Sequence, residues 1–249
     1  MNNLIENILN KFSSISLKEM ESVSLMKRTD TKFILHQNQL ANILLGIKSY
    51  YKILEIKKNR IMTYESLYFD TNSRKFYYDH HNGKINRTKV RMRKYIESEI
   101  CFLEIKQKDG KGNTKKSRIP IDDFMFQLSN NYYNFIKNTT SKRYNLSPVI
   151  SNKFNRFTLV NKTKPERVTV DMNLSFSFQN SYKSYNDLVI IEVKQERLNL
   201  NSPIVQELRR HKILPYRISK YCLGMSSLYK ELKYNNFKQK ILKINKLIA

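Results

Sequence analysis

The sequence predicts an α+β fold, an antiparallel sheet with a few helices laid against it. Three observations carry this expectation. Nine segments read as extended, two intervals between them carry hairpin-turn signals, and helical periodicity is confined to short stretches around the strands. Hairpins require antiparallel neighbours, which separates the pattern from a doubly wound parallel sheet.

Taken in chain order, residues 2–12 and 16–20 are short helical candidates. Arg28 to Leu35 is the first strand. Gln39 to Tyr50 carries Leu40, Ile43, Leu44 and Ile47 at helical spacing. Extended segments follow at Ile61 to Phe69, Lys75 to Asp79, Asn86 to Tyr95, Ile100 to Lys108 and Thr114 to Pro120. Asn82-Gly83 and Asp109-Gly110-Lys111-Gly112 are the two turn signals. Asp122 to Asn138 reads as a helix with Phe124, Leu128 and Phe135 on one side. Strands return at Lys153 to Val160, Glu166 to Asp171 and Asp187 to Gln195. Ser202-Pro203 is a helix start, with Ser as N-cap and Pro at the first position, before Ile204 to His211. A last helix is expected from about Ser219 towards Leu247, with Gly224 a weak point near its start.

The chain has 249 residues, 40% hydrophobic and 12% aromatic, which supplies a core and excludes wholesale disorder. Two cysteines, Cys101 and Cys222, make neither a disulfide framework nor a Cys-rich metal site. There is no run of 18 apolar residues and no basic, then apolar, leader at the start. The expectation is a soluble, reduced, cytoplasmic protein. Lys and Arg number 46 against 21 Asp and Glu, a formal net charge of +25. Part of this reflects a general abundance of Lys, Asn and Ile. The remainder needs a counterpart: nucleic acid, an acidic membrane surface, or a phosphate-rich small molecule or polymer.

The strands narrow that choice. Val90-Arg91-Met92-Arg93 puts two arginines on one face, and Leu103-Glu104-Ile105-Lys106, Lys116-Ser117-Arg118, Arg167-Val168-Thr169-Val170-Asp171 and Ile191-Glu192-Val193-Lys194 repeat the arrangement. Asp30 and Lys32 share a face on the first strand. An ordinary solvated face would mix both signs of charge with Ser, Thr and Gln. Like charges opposed across strands are unfavourable, and they accumulate where an anion offsets them. An open sheet with this face would suit nucleic acid. A closed barrel with the cations inside would suit a narrow polyphosphate, its apolar exterior coated by the helices at 39–50, 122–138, 203–211 and the C-terminus.

Other chemistry is absent or weak. No phosphate-binding Gly-x-x-x-x-Gly-Lys-Ser/Thr loop and no Gly-x-Gly-x-x-Gly occurs. His80-His81 is expected to be exposed beside the Asn82-Gly83 turn. His36 and His211 lack partners at ligand spacing. Tyr77-Tyr78 and Tyr132-Tyr133 read as core or helix-face packing ahead of base stacking. The basic stretch Lys230 to Lys246 reads as a solvated helix face.

Nine motifs in order carry a family resemblance. They are Arg28-Thr-Asp-Thr-Lys32-Phe-Ile-Leu-His36, Ser66-Leu-Tyr-Phe-Asp70, Val90-Arg-Met-Arg93, Phe102-Leu-Glu-Ile-Lys106 and Lys116-Ser-Arg118. Phe154-Asn-Arg156, Arg167-Val-Thr-Val-Asp171, Ile191-Glu-Val-Lys194 and Arg217-Ile-Ser-Lys220 complete the set. Over about residues 25–229 the chain resembles the catalytic domain of the vacuolar transporter chaperone (VTC) family, the polyphosphate polymerases among the triphosphate tunnel metalloenzymes. The resemblance implies a closed antiparallel tunnel barrel with helices outside. It implies that Lys32, Arg91, Arg93, Lys106, Lys116, Arg156, Arg167, Lys194, Arg217 and Lys220 hold phosphate oxygens, Arg by its planar fork and Lys as a compact charge. Ser219 would add a hydroxyl at a helix start. Glu192 resembles the family's metal-binding glutamate, for Mn2+ or Mg2+. Glu104 is a second metal candidate, with a salt bridge to a tunnel cation as its alternative.

The implied reaction moves the terminal phosphate of ATP to inorganic polyphosphate, with Arg91, Arg93, Lys106, Arg167, Lys194 and Glu192 as the catalytic set. ATP and polyphosphate are the expected partners, with no nucleic acid and with membrane association only through other proteins. A triphosphatase or tripolyphosphatase on the same fold, or a non-catalytic polyanion binder, are the alternatives. One departure separates branches. The hydrolase and cyclase branches open Glu-x-Glu-x-Lys; here the stretch is Arg28-Thr29-Asp30-Thr31-Lys32, which weakens a two-metal site. About 24 residues precede the first motif, so the regulatory SPX domain of the fungal proteins is not expected. The expected organisation is a helical extension at 1–24, the tunnel domain at 25–230 and a basic helix at 231–249 on or extending from it.

Overall fold

The computed structural model describes residues 3–22, 29–110 and 113–249. Arg28 of the first motif, Lys111-Gly112 of the second turn and the expected boundary at 24/25 lie outside them. The strands are β1 (Ser14–Ile15), β2 (Thr29–His36), β3 (Tyr51–Leu54), β4 (Met62–Asp70), β5 (Arg87–Tyr95), β6 (Ile100–Lys108), β7 (Thr114–Ile121), β8 (Ser147–Asn161), β9 (Glu166–Phe178), β10 (Ser181–Tyr185) and β11 (Leu188–Gln195). The helices are α1 (Asn3–Leu9), α2 (Leu17–Ser22), α3 (Leu40–Ile47), α4 (Lys75–His81), α5 (Asn130–Thr140), α6 (Pro203–Arg210), α7 (Lys220–Leu228) and α8 (Asn235–Ile248).

The main strands lie in the order β2-β11-β9-β8-β4-β5-β6-β7, each pair antiparallel; β10 extends β9, and β3 joins β8 to β1. The α+β antiparallel class is as expected. Closure by hydrogen bonds is not. Among the described residues no pairing joins β2 to β7. The free edge of β2 is taken instead by an irregular segment: Phe33 bridges to Pro215, and the Tyr216 N–H donates to the Lys32 carbonyl at 2.6 Å. The sheet curls far enough for residues of all eight main strands to line one cavity. The seam between its edges is walled by residues 214–219 and by α8.

Period-2 alternation sorts the faces. Facing residues such as Arg91↔Glu104 and Glu192↔Lys32 point inward. Val90, Met92, Leu103 and Ile105 point outward and are fully buried. One coat covers β2, β8, β9 and β11: Ile5, Ile8 and Leu9 of α1, Leu40, Ile43, Leu44 and Ile47 of α3, and Ile204, Val205 and Leu208 of α6 pack on Phe33, Leu35, Phe157, Val168, Val170, Val189, Ile191 and Val193. Each such side chain contributes about 1.5–3 kcal/mol by leaving water. A second cluster, with Phe76 and Tyr77 of α4 and Ile136 of α5, covers β4 to β7.

Six local expectations are overturned. Lys75 to Asp79 is helix α4, not strand. The Asp70 carboxylate accepts from the N–H groups of Phe76 and Tyr77 at 2.9 and 3.0 Å and anchors the first turn, while Arg74 enters it with φ of 55°. Asn82-Gly83 therefore ends a helix rather than closing a hairpin; Gly83, at φ +71°, takes the left-handed position that follows a helix C-terminus. His81 is consequently buried, with its Nε2 accepting from the Asn236 N–H at 3.3 Å. Residues 122–129 are irregular, so the expected helix begins only at Asn130. The C-terminal stretch breaks at 229–234 into two helices. Gly224 is a packing site rather than a weak point: a Cβ there would stand 2.4 Å from the Phe176 ring and 2.6 Å from Ile150 Cδ1.

Candidate active site

The inner face of the sheet and the start of α7 enclose a cavity of about 2050 Å³. Fifteen Lys and Arg side chains line it against four Asp and Glu. Such a wall concentrates positive potential on whatever enters.

The cations stand in rungs fixed by register. On β5, Lys89, Arg91 and Arg93 alternate along one face, opposite Lys106, Glu104 and Phe102 of β6. Lys106 faces Lys116 of β7. Across the cavity Lys32 faces Glu192, and Lys194 faces Arg167. Lys32, Arg91, Arg93, Lys106, Lys116, Arg156, Arg167, Lys194 and Arg217 all line the cavity, as do Ser219, Glu104 and Glu192. Lys220 is not among the lining residues; its ammonium is drawn to Asp171 and lies 4.2 Å over the Phe154 ring.

Three carboxylates fix much of this wall. Glu104 accepts from Arg91 Nε and Nη2 at 2.8 and 2.7 Å and pairs with Lys116. Burial alone would raise its pKa, but Arg91, Arg93 and Lys116 outweigh burial and hold it at about 2. Glu104 is therefore ionised, with Arg91 and Lys116 in contact. Asp171 accepts from Arg156 Nε and Nη2 at 2.5 and 2.8 Å, a two-pronged contact, and takes Lys220 as well. Glu192 accepts from Lys194 Nζ at 2.5 Å, with Lys32 Nζ at 3.7 Å from its other oxygen. Against the cost of burial, Lys194 and Lys32 hold Glu192 far below the usual carboxylate range.

Other cations have no such partner. Among the described residues, no carboxylate is in ion-pair contact with Lys89, Arg93 or Lys106. Lys89 donates to Ser219 Oγ at 2.9 Å and Arg93 Nε to Ser66 Oγ at 3.1 Å. Burial, with Lys32 and Lys106 nearby, brings Lys89 down to about 8. Burial and the adjacent Lys32 also lower Lys106, which is open to the cavity. Ser219 caps α7, its Oγ accepting from the Cys222 N–H at 3.3 Å. Tyr68 sits beside the pair of arginines; burial would raise its phenol, but Arg91 and Arg93 bring it to about 8.

A hard cation would find Glu192 as its oxygen ligand. Among the described residues no group of three His, Cys, Asp or Glu converges. The donor set thus fits a divalent ion that arrives with phosphate oxygens and waters, not one caged by protein alone.

Lys89, Asp171 and Tyr68 went unassigned in the sequence reading. Their signal was parity: Arg87, Lys89, Arg91 and Arg93 alternate, and Asp171 ends the run Arg167-Val-Thr-Val-Asp171 on the inward side. His80, which also lines the cavity, had no signal, because its place depends on α4.

The structure thus presents a cationic cavity inside a curled antiparallel sheet, and comparison with known proteins gives its family. The VTC domain model matches residues 27–229. The chain belongs to the VTC domain family. No curated protein matches the sequence. Solved structures that resemble it include a candidate adenylyl cyclase from Hippeastrum with a dominant triphosphatase activity, at TM-score 0.49 and 12% identity over 84% of this chain and 99% of that one. A candidate adenylate cyclase from Vibrio parahaemolyticus follows at 0.46 and 10%, over 78% and 94%. One from Bacillus halodurans stands at 0.46 and 11%, over 78% and 96%. No helix among the described residues is long and apolar enough to cross a membrane.

Proposed function

We propose that this protein is a metal-dependent polyphosphate polymerase, which passes the terminal phosphate of ATP to a growing inorganic polyphosphate chain inside the cavity. The observation that carries the reading is Lys89, Arg93 and Lys106: cations facing an enclosed space without a carboxylate in contact. Arg93 is buried and Lys89 half-buried, and a charge drawn out of water without a counter-ion is unfavourable, while Lys106 stands open to the cavity. A chain of linked phosphates supplies the missing anions along the cavity.

In this mechanism Arg91, Arg93, Lys106, Lys116, Arg156, Arg167, Lys194 and Arg217 hold phosphate oxygens, and the fixed carboxylates Glu104 and Asp171 aim the guanidiniums. Ser219 acts from the start of α7, and Lys220 shares Asp171 with Arg156 behind the wall. Phosphoryl transfer asks chiefly for alignment and for neutralised charge on the transferred group. An anionic phosphate acceptor needs no general base. A divalent ion, Mn2+ or Mg2+, held by Glu192 would add charge neutralisation when bound. Lys194 and Lys32 keep Glu192 ionised and oriented for that purpose.

The test is incubation of the purified protein with ATP and Mn2+. Long-chain polymer, degraded by a polyphosphatase, is the expected product. Release of orthophosphate alone from ATP or tripolyphosphate would replace this reading by a hydrolase.

A further inference from the structure

One stretch of the cavity wall is not cationic but aromatic. Tyr64 of β4, Tyr95 of β5 and Phe102 of β6 come from three successive strands and all line the cavity. Tyr64 and Tyr95 face each other in register and meet edge to face with centroids 4.9 Å apart. Tyr95 meets Phe102 at 6.1 Å and 89°. Beyond Phe102, the Arg118 guanidinium of β7 lies 4.4 Å over its ring. These rings differ from the core aromatics Phe76 and Tyr77, which helices seal from water: Tyr95 and Phe102 are only partly buried, and the neighbouring Ile100 is 46% exposed.

A phosphate gains nothing here. The face of an aromatic ring carries negative charge density and repels an anion. What such a surface takes is a flat, weakly polar ring, stacked on an aromatic face or on an arginine plane. Arg93 pairs with Phe102 in register, and Tyr95 lies two residues along the strand from Arg93, about 7 Å. That is room for a sugar between a stacked base and the first phosphate-binding rung. From there Arg93, Arg91 and Lys89 lead along one face of β5 towards Ser219.

We infer that Tyr95, Phe102 and Arg118 form a subsite for the base of a nucleoside triphosphate. The substrate lies with its base at this shelf and its terminal phosphate towards Lys89 and Ser219. This rests on the reading of the cavity as a holder of linked phosphates. No Asn or Gln among the described lining residues lies at the shelf, so stacking rather than edge recognition governs it, and ATP and GTP bind within about threefold of each other.

The experiment is equilibrium binding, without metal and without turnover, of ATP, GTP and inorganic tripolyphosphate to wild type, Phe102→Leu and Arg118→Ala. Arg118 is exposed, so its variant keeps the test informative if Phe102→Leu unfolds. The expected result is about a tenfold loss for both nucleotides in each variant, the scale of one base stack, with tripolyphosphate changed less than twofold. The fluorescence of 2-aminopurine riboside triphosphate should be quenched on binding and recover in Phe102→Leu; the chain has no Trp to interfere. Equal losses for nucleotide and tripolyphosphate, or no loss for either, would overturn the subsite while leaving the phosphate cavity standing. Failure of wild type to bind tripolyphosphate at all would overturn both.

Discussion

Asp171 is 3% exposed and holds two cations, Arg156 and Lys220, each from a different element. Removing its charge leaves both cations buried and unpaired. Asp171→Asn is expected to lower stability by about 3 kcal/mol, read as a shift of the urea midpoint at unchanged slope; an unchanged midpoint would mean that water replaces the carboxylate without cost. Glu192 likewise pairs with two cations, Lys194 and Lys32, so its removal also costs stability, but both lysines line the cavity and stay available to an anion. Glu192→Gln should abolish metal-dependent turnover while tripolyphosphate binding persists or tightens. Activity equal to wild type would remove Glu192 from the site. The motif Ile191-Glu-Val-Lys194 displayed both residues in the sequence, and their parity already placed them on one face. The partners of Asp171 could not be read that way, since Arg156 and Lys220 lie 15 and 49 residues away in sequence.

At the scale of elements, α7 is held in the sheet by contacts that leave no slack. Tyr221 stacks on Tyr68 at 5.1 Å and donates to Asp70 at 2.5 Å, and Gly224 lets the helix approach Phe176 and Ile150. Gly224→Ala would force a methyl group against both. A loss of about 1–3 kcal/mol is expected, the range for overpacking a filled core. Because α7 carries Ser219 and Lys220, phosphate affinity should fall with it; stability and affinity both at wild-type values would show that the ring and the isoleucine move aside. The eight main strands were legible from alternation, Ile100 to Lys108 to the residue, while the short strands β1, β3 and β10 were not. Where the reading failed, a distant group decided the outcome. Lys-Phe-Tyr-Tyr-Asp has strand-like aromatics, yet Asp70 anchors it as a helix from five residues upstream. The Asp122 segment has helical spacing, but it crosses the sheet as an irregular strap, with Phe124, Met125 and Leu128 packed on the outer core and the Met125 N–H at 3.3 Å from Met92 Sδ.

Over the whole molecule, charge sets how stability depends on pH and, on the proposed reading, how affinity does. Glu104 is at about 2, and Asp171 and Glu192 are held lower still, whereas unfolded carboxylates titrate near 3.8–4.5. In that interval the unfolded chain binds more protons than the native one, so stability is full above about pH 5 and falls as pH drops towards 2. Lys89 and Lys220 are lowered by burial to about 8 from 10.5. Between pH 8 and 10.5 the native protein has shed protons that the unfolded chain keeps, so these groups make stability rise with pH. Phosphate affinity should move the opposite way and weaken above pH 8. Denaturant titrations and binding isotherms from pH 2 to 10 would check the signs, and a rise of affinity above pH 8 would contradict the assignment. The sequence announced the excess of cations and their common face. It did not announce that Pro215 and Tyr216 take the edge of β2, which leaves a seam where hydrogen-bonded closure was expected.

The central claim is that cations from many strands act together on one chain of linked phosphates. Titration with inorganic tripolyphosphate tests it most directly, on wild type and on a variant carrying Arg93→Gln and Lys106→Gln. Neither residue has a carboxylate partner to orphan, so folding should survive. The account predicts tight, salt-sensitive binding by wild type and at least a hundredfold loss in the double variant, about 1.4 kcal/mol or more per cation removed. Equal affinity in the two proteins would contradict it.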